Sequence, residues 1–264
     1  MRQGRREAVL KQLWCIMVIA VLAPLGRAWA IDGTLSDNQR IKSDILGYDL
    51  QYRVYTPPGV EKLAGLPVLY IVDGQWYIRS GRMHRVVDRE IKNERIRPIM
   101  VVFVDSSDPD RPRFNRRNSQ FFCNQDYVRF FVGELVPRIS ADYPTSRNRE
   151  DRVILGLSFG GLNAACFGLM VPEVFGGIAM QSPAIWPVPI LTDLYESEPA
   201  QPVRMFVTVG TNRDGAGDAR SLKKVLEKKG YDLYYREVNG GHNWANWRPL
   251  QDDVLRHFFP AQSD

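Results

Sequence analysis

The chain has 264 residues, of which 44% are hydrophobic and 25% charged, a length that suits one large α/β domain. Its formal charge of +5 is concentrated at the start. Residues 1–30 hold five basic side chains and one acidic, and removing that +4 leaves +1 for the remainder. With no basic tract elsewhere, the composition excludes a nucleic-acid-binding role.

The first 30 residues read as a secretory signal. Arg2, Arg5, Arg6 and Lys11 precede an apolar run from Leu13 to Leu25, and Ala28-Trp29-Ala30 supplies a small-x-small cleavage site. The run is short for a membrane span, so membrane attachment is expected only if the leader stays uncleaved. Cleavage after Ala30 predicts a periplasmic or secreted protein that starts at Ile31.

From Tyr48 to Tyr55, Leu50, Tyr52 and Val54 alternate with Gln51, Arg53 and Tyr55, which predicts a half-exposed antiparallel strand ended by Pro57-Pro58-Gly59. Leu66 to Val72 is almost continuously apolar, as expected of a strand buried on both faces of a parallel sheet, and stops at Asp73-Gly74-Gln75-Trp76. Met83 to Arg95 has helical spacing, and Ile99 to Val104 is a second buried strand. Ser106 to Gln120 is a long polar loop carrying Arg111, Arg113, Arg116 and Arg117, with no partner for that charge in view. Such a loop in a compact domain is functional or mobile in most cases.

Asp126 to Tyr143 predicts one amphipathic helix with Phe130, Phe131, Leu135 and Ile139 on a common side. A strand through Val153 follows, then a short strand from Gly177 to Gln181 and an irregular insertion from Ala184 to Pro202 over the sheet edge. Val203 to Val209 is a strand, Ala219 to Lys229 a helix, and Leu233 to Val238 the last strand. Asn239-Gly240-Gly241-His242 reads as a turn and Arg248 to Phe259 as a closing helix. No repeat or linker interrupts the series. Strands alternating with helices predict a mostly parallel central sheet with helices on both faces.

The stretch Val153-Ile154-Leu155-Gly156-Leu157-Ser158-Phe159-Gly160-Gly161-Leu162 organises the rest. It combines a β-branched strand, a Gly-x-Ser-x-Gly turn and a helix start, the pattern of a nucleophile elbow. Ser158 would sit on a strained turn where side chains at Gly156 and Gly160 would collide with their neighbours. Helix-start amides would point at the site, with the amide of Phe159 as first oxyanion donor. The five-residue pattern alone is weak and needs a base and an acid downstream.

Ligands in such sheets bind at the carboxyl ends of the strands, where Gly74-Gln75, Ser158, Asp214 and His242 all fall. His84 precedes the elbow and His257 sits in the closing helix among phenylalanines, which leaves His242 as the candidate base. Ser, Asp, His is the chain order of an elbow hydrolase. Asp214 is the candidate acid and Asp218 the alternative, while both also read as ordinary turn aspartates. Cys123 and Cys166 could pair in an oxidising compartment. The position of Cys166 on the helix after Ser158 predicts instead a small buried hydrophobe.

From about Tyr48 to Phe259 the chain resembles the enterochelin esterase/esterase D-like branch of the α/β-hydrolases. The residues that carry the resemblance are Asp73-Gly74-Gln75, Cys123-Asn124, Gly133-Glu134-Leu135-Val136-Pro137, the elbow, Pro172-Glu173-Val174-Phe175-Gly176, and Gly240-Gly241-His242-Asn243-Trp244 with Trp247. The resemblance implies an α/β-hydrolase fold over residues 31–264 and a serine ester hydrolase free of cofactor and metal. It implies Ser158 as nucleophile, His242 as base, and amides near Gln75 and Phe159 as oxyanion donors. Siderophore-cleaving members tend to carry Arg-x-x-Glu-Leu before Cys-Asn, whereas Arg116-Arg117-Asn118-Ser119-Gln120-Phe121 stands here without the glutamate. A catecholate-siderophore-like ester is the leading substrate class, with Arg113, Arg117, Trp186 and Trp244 as expected substrate contacts. Aryl, feruloyl and acyl-sugar esters, and acyl transfer to an alcohol, stay open, as does the oligomeric state.

Overall fold

Side chains that alternate between the two faces of the strands build a core on each side of one sheet. The computed structural model describes residues 31–261, so the leader expected over 1–30 lies outside the described residues. In β4 (Val68–Val72) all five residues are buried. Val68, Tyr70 and Val72 pack into one apolar cluster and Leu69 and Ile71 into the other. β5 (Met100–Asp105) and β6 (Arg152–Leu157) divide their side chains in the same way. A strand that buries both faces has no polar side, which is why these segments read as unbroken apolar runs.

The remaining strands are β1 (Thr34–Leu35), β2 (Gln39–Ser43), β3 (Tyr48–Thr56), β7 (Gly177–Gln181), β8 (Arg204–Asn212) and β9 (Asp232–Gly241). Their order is β1-β3-β5-β4-β6-β7-β8-β9, with β2 paired to β3. Pairing is parallel from β5 through β9, and β3 runs antiparallel at that edge. The chain passes outward from β4 to β5, then returns to place β6 on the other side of β4. That reversal is a topological switch point, and it sets the carboxyl ends of β4 and β6 next to each other.

Helical segments cover both faces. On one lie α4 (Gln125–Phe130), α5 (Val136–Asp142), α6 (Phe159–Met170), α7 (Ile190–Ser197) and α8 (Ala216–Lys228). On the other lie α2 (Met83–Lys92) and α10 (Gln251–Phe258). The short turns α1 (Gly74–Trp76), α3 (Arg117–Gln120) and α9 (Trp244–Trp247) stand near the carboxyl edge of the sheet. Among the described residues no helix is long and apolar enough to cross a membrane.

Three expectations need correcting. The single helix expected from Asp126 to Tyr143 is broken by a π turn at Phe131–Leu135. Pro137 has no N–H and its ring would strike the carbonyl four residues back, so the widened turn precedes it. The insertion expected to be irregular contains α7. The last strand runs on through Gly241, so His242 follows the sheet directly rather than ending a turn.

Candidate active site

The elbow has the geometry that its glycines require. Ser158 stands between β6 and α6 at φ 56° and ψ −120°, a backbone conformation that costs energy for a residue with a side chain. A Cβ on Gly156 would lie 2.1 Å from the Gly160 carbonyl oxygen, so strand and helix cross at a distance only glycine permits. The turn is fixed by backbone bonds on both sides: Ser158 N–H donates to Gln181 at 2.9 Å, and Ala184 N–H donates to the Ser158 carbonyl at 3.0 Å.

His242 and Asp214 converge on this serine from the ends of β9 and β8. His242 Nε2 is 2.8 Å from Ser158 Oγ, and His242 Nδ1 is 2.5 Å from Asp214 Oδ1. The second carboxylate oxygen is saturated with donors. Asp214 Oδ2 accepts from Ser182 Oγ at 2.5 Å, from the Gly210 N–H at 2.5 Å and from Asn246 Nδ2 at 2.9 Å. Trp247 Nε1 in turn donates to Ser182 Oγ at 2.7 Å, and its ring meets the His242 imidazole edge-on at 4.9 Å. Asp214 is 3% exposed, so these bonds replace its lost hydration. Asp218 is exposed and bonds to neither ring nitrogen; it stands at the rim of the cavity instead.

Beside Ser158, β4 is followed by Asp73, which is in the left-handed region at φ 57°. The chain then turns into α1, with Gly74 so close to Phe103 that a Cβ would lie 2.4 Å from its carbonyl carbon. Gln75 and Phe159 thus occupy the first turns of two helical segments, where backbone amides lack intrahelical acceptors. The Gln75 side chain is tied back by Nε2 donating to Ser106 Oγ at 3.0 Å.

A cavity of ≈ 460 Å³ opens over Ser158 and His242, walled by Phe159, Pro183 and Trp186, with Arg213 and Asp218 at its polar side. Trp186 is 67% exposed and meets the Phe159 ring at 5.6 Å, while Phe122 meets Phe159 from the other direction at 5.1 Å. The other expected substrate contacts lie elsewhere. Trp244 is half-buried against Tyr77 and Trp247 at 5.4 and 5.5 Å, and Arg113 stands exposed on its loop; neither lines this cavity.

The arginine loop is not short of partners. Arg111 and Arg116 both bond Asp108, whose carboxyl is held down at about 2, first by the Arg111 side-chain hydrogen bond and then by the backbone amides of Asp110 and Arg111. Arg117 Nε donates to Asp73 Oδ2 at 2.9 Å. Cys166 is expected as a small buried hydrophobe, with pairing to Cys123 as the alternative. It is buried, but bonded to Cys123 across 43 residues, which pins the end of the arginine loop to the helix that follows Ser158. Ser182, Asn246 and Asp73 escaped sequence reasoning. The available signal was position, since Asp73 and Ser182 each directly follow a buried strand at the carboxyl edge.

Residues 43–258 match the family model described as "Putative esterase". The chain belongs to that family. Family membership makes it a carboxylic-ester hydrolase of α/β-hydrolase architecture. It is 27% identical over 238 residues to the Bacillus subtilis protein YjcH, covering 85% of this chain and 97% of that one. It is also 27% identical over 192 residues to the Iron(III) enterobactin esterase of Escherichia coli, covering 69% of this chain and 47% of the relative. The chain thus spans about half the length of the enterobactin and salmochelin esterases it matches. In structure, the Shigella flexneri enterobactin esterase superimposes with a TM-score of 0.79 at 24% identity, over 89% of this chain and 62% of that one. A ferulic acid esterase superimposes at 0.75 and 20% identity, over 86% of this chain and 98% of that one.

Proposed function

We propose that this esterase works through an acyl-enzyme on Ser158, with His242 as general base and acid and Asp214 as its orienting carboxylate. The observation that carries the reading is the unbroken chain Ser158 Oγ, His242 Nε2, His242 Nδ1, Asp214 Oδ1 at 2.8 and 2.5 Å. Ser158 Oγ attacks the ester carbonyl and its proton passes to His242 Nε2, while Nδ1–H donates to Asp214. The oxyanion is held by the amides of Phe159 and Gln75. Collapse expels the alcohol, which takes the proton from His242. A water then gives its proton to the same nitrogen and attacks the acyl carbonyl; collapse breaks the bond to Ser158 Oγ, which takes that proton back as the acid leaves.

The substrate is an ester with a flat aromatic group, placed against the Trp186–Phe159 wall of the cavity. Catecholate-siderophore-like esters are the leading class, supported by relatives named as enterobactin and salmochelin esterases. Feruloyl esters are the second reading, favoured by the structural match to nearly the whole of a ferulic acid esterase. The arginine loop lends the first class less than its sequence promised, because Asp108 and Asp73 already engage three of its four arginines. The protein acts outside the cytoplasm, a reading supported by the leader sequence and by the Cys123–Cys166 bond.

A fluorophosphonate probe together with hydrolysis of catechol, feruloyl and short acyl esters tests this. The probe is expected to label the wild type and to fail on folded Ser158→Ala, which loses several orders of magnitude in turnover. Labelling that persists in folded Ser158→Ala refutes the nucleophile, and a preference for short aliphatic esters refutes the aromatic subsite.

A further inference from the structure

Arg117 has the charge and position expected of a substrate contact, yet its surroundings give it another task. The side chain is 15% exposed, and its Nε donates to Asp73, which is wholly buried. Nη2 is sealed from solvent, and the residue does not line the cavity over Ser158. The flat guanidinium instead lies over three rings: Trp76 at 4.9 Å, Phe159 at 5.2 Å and Phe121 at 5.6 Å. Trp76 follows Gln75 in sequence and Phe159 follows Ser158. One side chain therefore touches both segments whose amides form the oxyanion hole.

Asp73 completes the link. Its Oδ1 accepts from Ser106 Oγ at 2.7 Å, and the same Ser106 oxygen accepts from Gln75 Nε2 at 3.0 Å. Its other oxygen lies 3.5 Å from the point where a Cβ on Gly160 would sit, against the first turn of α6. Gln75, Ser106, Asp73 and Arg117 therefore form one polar chain behind the site, joining the ends of β4 and β5 to the start of the nucleophile helix. Nothing in this chain reaches Ser158 or His242, so it would act on amide placement alone. Misplacing such donors by a fraction of an ångström weakens them where charge develops, not where substrate is first held.

We propose that Arg117, acting through Asp73, is a positioning residue that sets the spacing of the Gln75 and Phe159 amides. The role rests on the serine mechanism proposed above. It predicts a loss in turnover common to all esters, whereas a substrate-binding arginine would raise KM for anionic esters alone.

The test uses the full-length enzyme with one neutral and one anionic aryl ester, and an aryl boronic acid as a tetrahedral analogue. Arg117→Gln is expected to lower kcat about 10²-fold for both esters, with KM within about twofold and boronate affinity falling in step. Asp73→Asn is expected to do the same, and the double variant to lose no more than the worse single one, because the two residues act as one unit. Arg117→Lys keeps the charge and loses the flat contact with Phe159 and Trp76; we expect at least about a tenfold loss in kcat.

A KM rise confined to the anionic ester, additive losses in the double variant, or full kcat in folded Arg117→Lys would each overturn the role. Ser158→Ala separates the two readings. Activity remaining there refutes the nucleophile, whereas an inert Ser158→Ala beside a fully active Arg117→Gln refutes only the positioning.

Discussion

Asp214→Asn tests whether the carboxylate is part of the chemistry or only of the fold. Asparagine has the same shape, so what matters is where its amide nitrogen goes. Three donors converge on Oδ2: Ser182 Oγ, Asn246 Nδ2 and the Gly210 N–H. A hydroxyl can rotate and a side-chain amide can flip, but a backbone N–H cannot reverse. Gly210 therefore keeps the amide oxygen at the Oδ2 position and turns the new NH₂ towards His242 Nδ1. That nitrogen must then accept, which places the imidazole proton on Nε2, facing Ser158, where a base needs a lone pair. A wrong tautomer in otherwise intact geometry costs about 10⁴-fold in kcat, or about 5.4 kcal/mol at 1.36 kcal/mol per decade.

The assay is turnover of a chromogenic short acyl ester, with thermal unfolding alongside to establish that the variant is folded. Asp218→Asn, at an exposed position with no bond to the ring, is expected to stay within about twofold. A folded Asp214→Asn within tenfold of wild type would refute the tautomer argument and leave a Ser158–His242 dyad. A large loss in Asp218→Asn alone would mean that the bond to Asp214 is not the one catalysis uses.

Two further outcomes follow from the surrounding structure. The Cys123–Cys166 bond closes a segment of 43 residues, and the chain-entropy relation gives it about 4 kcal/mol; urea unfolding with and without dithiothreitol should separate accordingly, and coincident curves would refute this. Burial lifts the Asp73 carboxyl from 3.8 to about 6, against the pull of Arg117 and Ser106. A raised folded value means the folded state holds the proton more tightly. The associated stability, about 3 kcal/mol, is fully present below pH 4 and lost as pH rises through about 6. Asp73→Asn should abolish that decline, measured as the difference in unfolding free energy between pH 4 and pH 7, and an unchanged decline would refute the assignment.

The local pattern of the chain determined the strands, the elbow and the two ends of the proposed catalytic chain. Buried parallel strands have no polar side and announce themselves, and Gly156 marks a crossing that tolerates no Cβ. His242 could be singled out because an elbow hydrolase keeps its base after the last strand. The sequence favours Asp214 over Asp218 only by its place directly after a strand, and the contact that separates them is tertiary. Both are polar residues near the same turn, and only the folded positions of Gly210, Ser182 and Asn246 around Asp214 distinguish them. The pairing of Cys123 with Cys166 was settled in the same way, since distance across 43 residues has no local signature.

Arginine was the hardest residue type to read, because a charge in sequence carries no information about what will face it. Arg117 and Asp73 are 44 residues apart and meet only because the switch point sets the β4 end beside the elbow. Local spacing fixes periodicity and turn chemistry, while long-range pairing of polar groups depends on which strand ends the topology makes neighbours. The sequence alone therefore placed the candidate residues at one edge of the sheet, and the fold decided which side chains meet there.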